Sequence, residues 1–304
     1  MNKLKMIFNI IKQPFRIVIY FNSKGIRVLS DKKYLEMIYK NKFGKKLDLS
    51  NPRLFNEKLQ WLKLYDRKEI YTVMVDKYEV KKYITDRISD QYIIPTLGIY
   101  DKFDEIDFDE LPNQFVIKCT HDSGGLVICK DKTKLDIKAT KKIINKCLRK
   151  NFYYLGREWP YKNVKPRIII EKYMKNKEDA ELRDYKFFCF NGKIGIVLVC
   201  TNRQKDLEET WLDEDFNLID LREGGHRNRN DLLKPRCFNK MKKIAKKLSE
   251  GLPHIRVDLY EIGGKVYFGE LTLYPASGFE MFDDKKWDKK LGDLIDLRLV
   301  KNDG

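Results

Sequence analysis

The sequence predicts an α+β fold, and three observations carry that reading. Residues 31–90 keep apolar side chains at helical spacing, a succession of short β-rich runs fills residues 92–271, and helical stretches at about 136–150 and 236–250 interrupt those runs. With 304 residues, 42% hydrophobic and 12% aromatic, the chain has enough material for one large domain or two intimate ones, and it is too apolar to be disordered.

Residues 1–21 mix apolar positions with Lys3, Lys5, Lys12 and Arg16, and Pro14 interrupts them. Such a segment reads either as a helix packed on the body of the protein or as a basic face on an anionic membrane surface. No apolar stretch is long and uncharged enough to span a bilayer. The next region starts a helix near Asn51-Pro52, with Phe55, Leu59 and Leu62 on one face, and continues through a second run from Tyr71 to Ile84. The expected strands are 92–95, 115–119, 126–129, 167–171, 186–190, 194–200, 256–260 and 266–271, with tight turns at Asn191-Gly192 and Gly263-Gly264.

The net charge of +17 suits nucleic acid, anionic lipid, nucleotide or acidic glycan, but no nucleic-acid motif accompanies it. The six cysteines form no CxxC pair and no Cys/His cluster, and no secretory signal precedes them. They read as reduced thiols of a cytoplasmic protein.

Four stretches can carry chemistry. In FVIKCTHDSGG (115–125) a strand presents Lys118 beside a loop with Ser123, Gly124 and Gly125, a lysine and a glycine loop of the kind that meet phosphate; no Walker loop occurs. In RIIIEKYM (167–174) an apolar strand exits into Glu171 and Met174, a passage able to face an adenine edge. In RDYKFFCFNGK (183–193) alternation places Asp184 and Lys186 on one face, making Lys186 a second phosphate cation. In RVDLY (256–260) and GELTLYPASGF (269–279) the same alternation groups Arg256 with Asp258 and Glu270 with Thr272. That set reads as a cross-strand salt bridge or as a Mg²⁺ site; two acids on apolar strands beside a glycine loop favour the metal.

In this order, these stretches resemble the ATP-grasp superfamily, and more closely its teichuronopeptide-biosynthesis-like branch, whose polysaccharide-biosynthesis members often carry the name glycosyltransferase. LFNEKLQWLKLYDR (54–67) and DKYEVKKYI (76–84) extend the likeness, which runs from about residue 30 to 297. The resemblance implies an ATP-grasp fold of two α+β subdomains gripping ATP, in a domain at 111–300, preceded by a basic segment at 1–30 and a helical region at 31–110. It implies that Lys118 and Lys186 contact ATP phosphates, that the loop at Ser123, Gly124 and Gly125 closes over them, that Glu171 faces the adenine amino group and that Met174 sits at the hinge. Asp258 and Glu270 would hold Mg²⁺, and Arg256, with Lys186, would act on the transferring phosphate. The family's Glu-x-Asn metal pair reads Glu270-x-Thr272 here, which puts the third ligand in doubt. Glu178, Asp179 and Glu181 are alternative ribose-binding acids.

The implied reaction is two-step: ATP phosphorylates a carboxylate, and an amine displaces the phosphate to form an amide. The branch points to an amino acid joined to a uronic acid or amino sugar in surface polysaccharide, with small-molecule or glycan carboxylate and amine as substrates. An anion-binding loop could lie at GGHRNRN (224–230) with Arg222, Arg227 and Arg229. The rival reading is a sugar-nucleotide glycosyltransferase using Asp107-Phe108-Asp109 or Asp213-Glu214-Asp215, although neither follows a convincing strand. A third reading is a non-catalytic nucleotide-binding scaffold.

Overall fold

Helices come first in the computed structural model, which describes residues 15–122, 124–175, 182–202, 207–224, 226, 229 and 231–300. Helix α1 spans Phe15–Ser23 and α2 spans Asp31–Phe43. Ser30 starts α2 by accepting from the Lys33 N–H at 3.4 Å, and Gly44 ends it in the left-handed region (φ 69°) with its N–H on the Lys40 carbonyl. Helix α3 (Phe55–Tyr65) begins a few residues past Asn51-Pro52, because Glu57 accepts from the N–H groups of Arg53 and Leu54 at 3.0 and 3.1 Å.

The run expected as one helix over 71–84 is two, α4 (Glu69–Val75) and α5 (Glu79–Arg87). Asp76 separates them: one carboxylate oxygen accepts from the N–H groups of Tyr78 and Glu79, and the other accepts from Arg167 at 2.9 Å.

Strand β1 (Thr96–Tyr100) follows. The strand expected at 92–95 is displaced into it, since Ser89 caps a single 3₁₀ turn at Asp90–Tyr92 and extended pairing starts only after Pro95. Strands β2 (Phe115–Cys119) and β3 (Leu126–Cys129) match their expected spans; β4 is Ile168–Lys172. Together they form an antiparallel sheet in the order β1-β4-β2-β3, so a strand N-terminal to residue 111 is an edge of the sheet that carries Lys118. Helix α6 (Ile137–Leu148), capped by Asp136, and the short α7 (Tyr153–Gly156) fall between β3 and β4, and Ile144 of α6 packs with Phe115, Ile117, Ile168 and Ile170.

The second sheet is antiparallel too, in the order β7-β6-β5-β8-β9. Its members are β5 (Asp184–Phe190), β6 (Lys193–Thr201), β7 (Glu208–Leu212), β8 (Ile255–Ile262) and β9 (Lys265–Thr272). Strand β7 was not visible in the sequence, since Glu208 and Glu209 hide its alternation and only Thr210, Trp211 and Leu212 are buried. Asn191-Gly192 (φ 45° and 78°) and Gly263-Gly264 (φ 57° and 72°) both adopt the positive φ of a type I′ hairpin turn, whose twist matches the strands. Helix α8 (Phe238–Ser249) buries Phe238, Met241, Ala245 and Leu248 on this sheet, and α3 packs Phe55 near the rings of Phe188, Phe190 and His254. Helix α9 (Lys286–Leu294) closes against α3.

Candidate active site

Lys118, on β2 opposite Ile169 of β4, extends its ammonium to Glu171 Oε2 at 2.6 Å. The other oxygen of Glu171 receives Lys81 from α5 at 2.5 Å. Burial pushes the Glu171 carboxyl up, but the two lysines outweigh it and hold the group below its usual range. The carboxylate expected at an adenine amino group is thus engaged by two cations, one on each oxygen. Met174 follows two residues past β4 and is half-buried.

Lys77, just ahead of α5, was missed in the sequence. Its ammonium donates to the Asp122 carbonyl at 2.5 Å, and burial lowers its pKa while the charge of Glu270 supports it. It links the β2 side of the site electrostatically to the β9 side. Only its place inside DKYEVKKYI hinted at it, since a lysine at a helix start looks like any solvated lysine.

The glycine loop is more divided than expected. A Cβ on Gly125 would lie 2.5 Å from Cys147 Sγ and 2.6 Å from Cys119 Sγ, whereas one on Gly124 would meet nothing closer than Asp122 Oδ2 at 3.5 Å. Gly125 is thus required by sulfur packing beneath the loop, and Gly124 is the open position. Ser123 lies outside the described residues, as do Glu178, Asp179, Glu181, Arg227 and residues 1–14.

On the second sheet, β8 and β9 pair Arg256 with Thr272 and Asp258 with Glu270, and a bulge follows at Gly269, where a Cβ would crowd the Asp258 carbonyl at 3.0 Å. Arg256 binds both oxygens of Asp258 at 2.7 and 2.8 Å and reaches Glu270 Oε1 at 2.7 Å. Thr272 Oγ1 donates to that same oxygen at 3.2 Å. Lys186 is ion-paired to Asp258 and lies 2.7 Å from Asp184. Burial pushes the Glu270 carboxyl up, but Arg256, Lys186 and Lys77 override it and bring the group down to about 2. Asp258, almost wholly buried, is pushed up by that burial against the pull of Arg256 and Lys186. Lys186, expected at the ATP phosphates, is 5% exposed and paired with two carboxylates.

Among the described residues no group of three or more His, Cys, Asp or Glu side chains is gathered to hold a metal ion. The oxygen donors at hand are two carboxylates, Asp258 and Glu270, with the Thr272 hydroxyl beside them. That fits an ion such as Mg²⁺, which takes one or two protein carboxylates and completes its shell with phosphate and water.

A cavity of about 360 Å³ opens on this face, and Lys186, Arg256 and Glu270 line it together with Glu209, Glu223, His226 and Glu280. Glu280 was not singled out in the sequence, because an acid after Gly278-Phe279 has no pattern to mark it. The loop that brings it there holds Ala276, Ser277 and Gly278 in left-handed conformation (φ 42°, 55° and 64°). The buried polar stripe of α3 restrains that loop: Gln60 donates to the Ser277 and Gly278 carbonyls, and Lys63 donates to the Ser277 carbonyl at 2.7 Å and the Gly156 carbonyl at 2.7 Å.

Of the expected anion loop, Arg222 is exposed, while Arg229 is committed to both oxygens of Asp231 at 2.9 Å. The DxD-like acids stabilise turns: Asp107 accepts from the Asp109 N–H, and Asp213 accepts from the N–H groups of Asp215 and Asn217.

The profile of the TupA-like ATPgrasp family matches residues 57–296. No curated protein matches the chain. Among solved structures, a D-alanine–D-alanine ligase from Bacillus anthracis complexed with ATP is 20% identical with a TM-score of 0.45, and covers 76% of this chain and 69% of its own. The same enzyme from Helicobacter pylori is 18% identical with a TM-score of 0.41, covering 79% and 69%. With the family profile spanning most of the sequence, including every strand described above, the chain belongs to the TupA-like ATP-grasp family.

Proposed function

We propose that this ATP-dependent ligase activates a carboxylate as its acyl phosphate and joins it to an amine, linking an amino acid to a uronic acid or amino sugar of a surface polysaccharide. The observation that carries the reading is the meeting of two charged sets from different sheets. Lys77, Lys81 and Lys118 surround Glu171 and the glycine loop, and Lys186 and Arg256 surround Asp258 and Glu270. Triphosphate bound between them would meet cations from both sides, which is where phosphoryl transfer develops its charge.

Asp258, Glu270 and Thr272 would hold Mg²⁺, which supplies further positive charge to the phosphates. Arg256 grips both carboxylates by its rigid fork, and the N–H given to Glu270 would serve the transferring phosphoryl oxygens where Glu270 turns to the metal, with the bidentate pair to Asp258 kept. Lys186 offsets the charge of Asp258 and Asp184 beside the pocket. The net charge of +17 suits an acidic glycan as the carboxylate donor. The exposed apolar side chains Ile17, Tyr20 and Phe21 of α1, beside Arg16 and Lys24, suit contact with an anionic membrane surface where such glycans are assembled.

The test is a screen of glucuronate and galacturonate against the amino acids and glucosamine, with ATP and Mg²⁺, and with hydroxylamine as a trap for the acyl phosphate. ADP release that needs a carboxylate, with hydroxamate formed in the trap, supports the ligase. Turnover of a sugar nucleotide without ATP would overturn it.

A further inference from the structure

The cavity described above has two poles. Arg256 and Lys186 stand on its sheet side with the carboxylates of Glu209 and Glu270, while Glu223 and Glu280 join it from elements outside the sheet. Glu223 forms a bridge with Phe282, two residues beyond Glu280, so both carboxyls belong to one local pairing. Glu280 is 5% exposed, and its Oε2 is buried with no hydrogen-bond partner among the described residues. A buried carboxyl oxygen without a donor is costly, and one that lines a cavity finds its donor in a ligand. The backbone of Glu280 is fixed on both sides: its N–H donates to Asn56 Oδ1 at 2.8 Å and its carbonyl accepts from Asn56 Nδ2 at 3.1 Å. The backbone that carries the carboxyl is therefore held in place before any ligand arrives.

We propose that Glu280 and Glu223 form the seat of a primary ammonium group, that of the acceptor amine, opposite the anionic reactant held at Arg256. This rests on the ligase reading for its chemical consequence. Burial and the neighbouring Glu223 raise the proton affinity of Glu280 well above that of an ordinary carboxyl, with Arg256 opposing. An ammonium group placed between the two carboxyls would give the buried oxygen of Glu280 its donor and offset their charge. In the reaction the pair accepts one proton from the ammonium, leaving a neutral amine. The amine nitrogen then forms the bond to the acyl carbon, the carbon–oxygen bond to phosphate breaks with its electron pair on oxygen, and the departing phosphate takes the second nitrogen-bound proton. The acceptor class is a primary amine, cationic at neutral pH.

The experiment uses the full chain and two probes of the same shape, glycinamide, which carries an ammonium group, and propionamide, which does not. Ligand-observed NMR should show saturable glycinamide binding and none for propionamide, with Glu280→Gln and Glu223→Gln each weakening glycinamide roughly tenfold, as loss of a charge-assisted contact does. Absence of saturable binding to the wild type, or unchanged affinity in both variants, overturns the seat. A second arm compares amide formation with hydroxamate formation in Glu280→Gln. Hydroxylamine is largely neutral and needs no ammonium seat, so amide formation should fall about tenfold further. An equal fall in both overturns the role in catalysis, whereas a wild type that forms no hydroxamate overturns the ligase reading and leaves glycinamide to judge the seat.

Discussion

Asn56 and Glu280, more than 200 residues apart, hold each other through both arms of one amide: Asn56 Oδ1 takes the Glu280 N–H at 2.8 Å and Asn56 Nδ2 gives to the Glu280 carbonyl at 3.1 Å. Asn56 is fully buried and also donates to Asp288 at 3.1 Å, so its amide has no slack. Replacing it by leucine leaves the buried Glu280 N–H and carbonyl short of partners, each costing about 1–3 kcal/mol, while Asp288 keeps the main-chain N–H of residue 56 at 3.0 Å. Asn56→Leu should lower the melting temperature by several degrees, and in any fraction that folds it should raise KM for the amine far more than KM for ATP. Equal changes in the two KM values would mean that Asn56 supports the fold alone.

The two loop glycines separate packing from ligand approach. Gly125→Ala forces a methyl group between Cys119 Sγ and Cys147 Sγ, at 2.6 and 2.5 Å before relaxation, and should destabilise the chain by about 1–3 kcal/mol. Gly124→Ala has ordinary space and should leave the unfolding midpoint nearly unchanged while weakening nucleotide binding. Denaturant titrations beside nucleotide titrations check both halves.

What the sequence made legible depended on whether a position announces itself locally. The hairpins were readable because Asn-Gly and Gly-Gly meet the positive φ that a type I′ turn needs, and alternation then placed Arg256 beside Asp258 and Glu270 beside Thr272. The pairing partner of Glu171 was not readable, since Lys81 comes from a separate helix and Lys118 from the adjacent strand. The polar stripe Asn56, Gln60 and Lys63 looks solvent-facing by residue type, yet all three are fully buried because a distant strained loop needs their donors. Strand β7 failed for the opposite reason, because acids occupy positions whose neighbours are buried.

Glu270 meets the cavity with a half-exposed side chain, and Glu270→Gln keeps the shape while removing the charge. Turnover should be lost with the fold intact, because Asp258 still satisfies the fork of Arg256. Retention of full activity would remove Glu270 from the metal assignment. The unfolding midpoint should fall at neutral pH, by less than the low pKa alone implies because the side chain is half-exposed.

Acid stability follows from Glu171 and Glu270, both held below the ordinary carboxylate value of 4.5, Glu270 down to about 2. In the unfolded chain they take up protons near 4.5, and in the native chain only at lower pH. The unfolded state therefore binds more protons across that window, and stability rises with pH there. The contribution is complete above about pH 5. It is lost progressively as pH falls from 4.5 toward 2, through the folded values. Glu171→Gln and Glu270→Gln should each flatten that limb, read as a smaller drop in unfolding midpoint between pH 5 and 3.

Helix α1 is tied to the body at one end, where buried Asn22 accepts from Arg157, and is exposed at Ile17, Tyr20 and Phe21. Helix α1 thus has one packed end and exposed apolar side chains, while residues 1–14 of the basic apolar segment lie outside the described residues. Exposed apolar groups next to cationic ones bind an anionic bilayer by partition and by charge attraction, the latter weakening as salt rises. Vesicles containing phosphatidylglycerol should co-sediment the protein, neutral phosphatidylcholine vesicles should do so less, and salt should reduce the difference. Tyr20→Glu with Phe21→Glu should abolish sedimentation without altering ADP release. Sedimentation that persists in this variant would place the membrane-binding surface elsewhere on the basic chain.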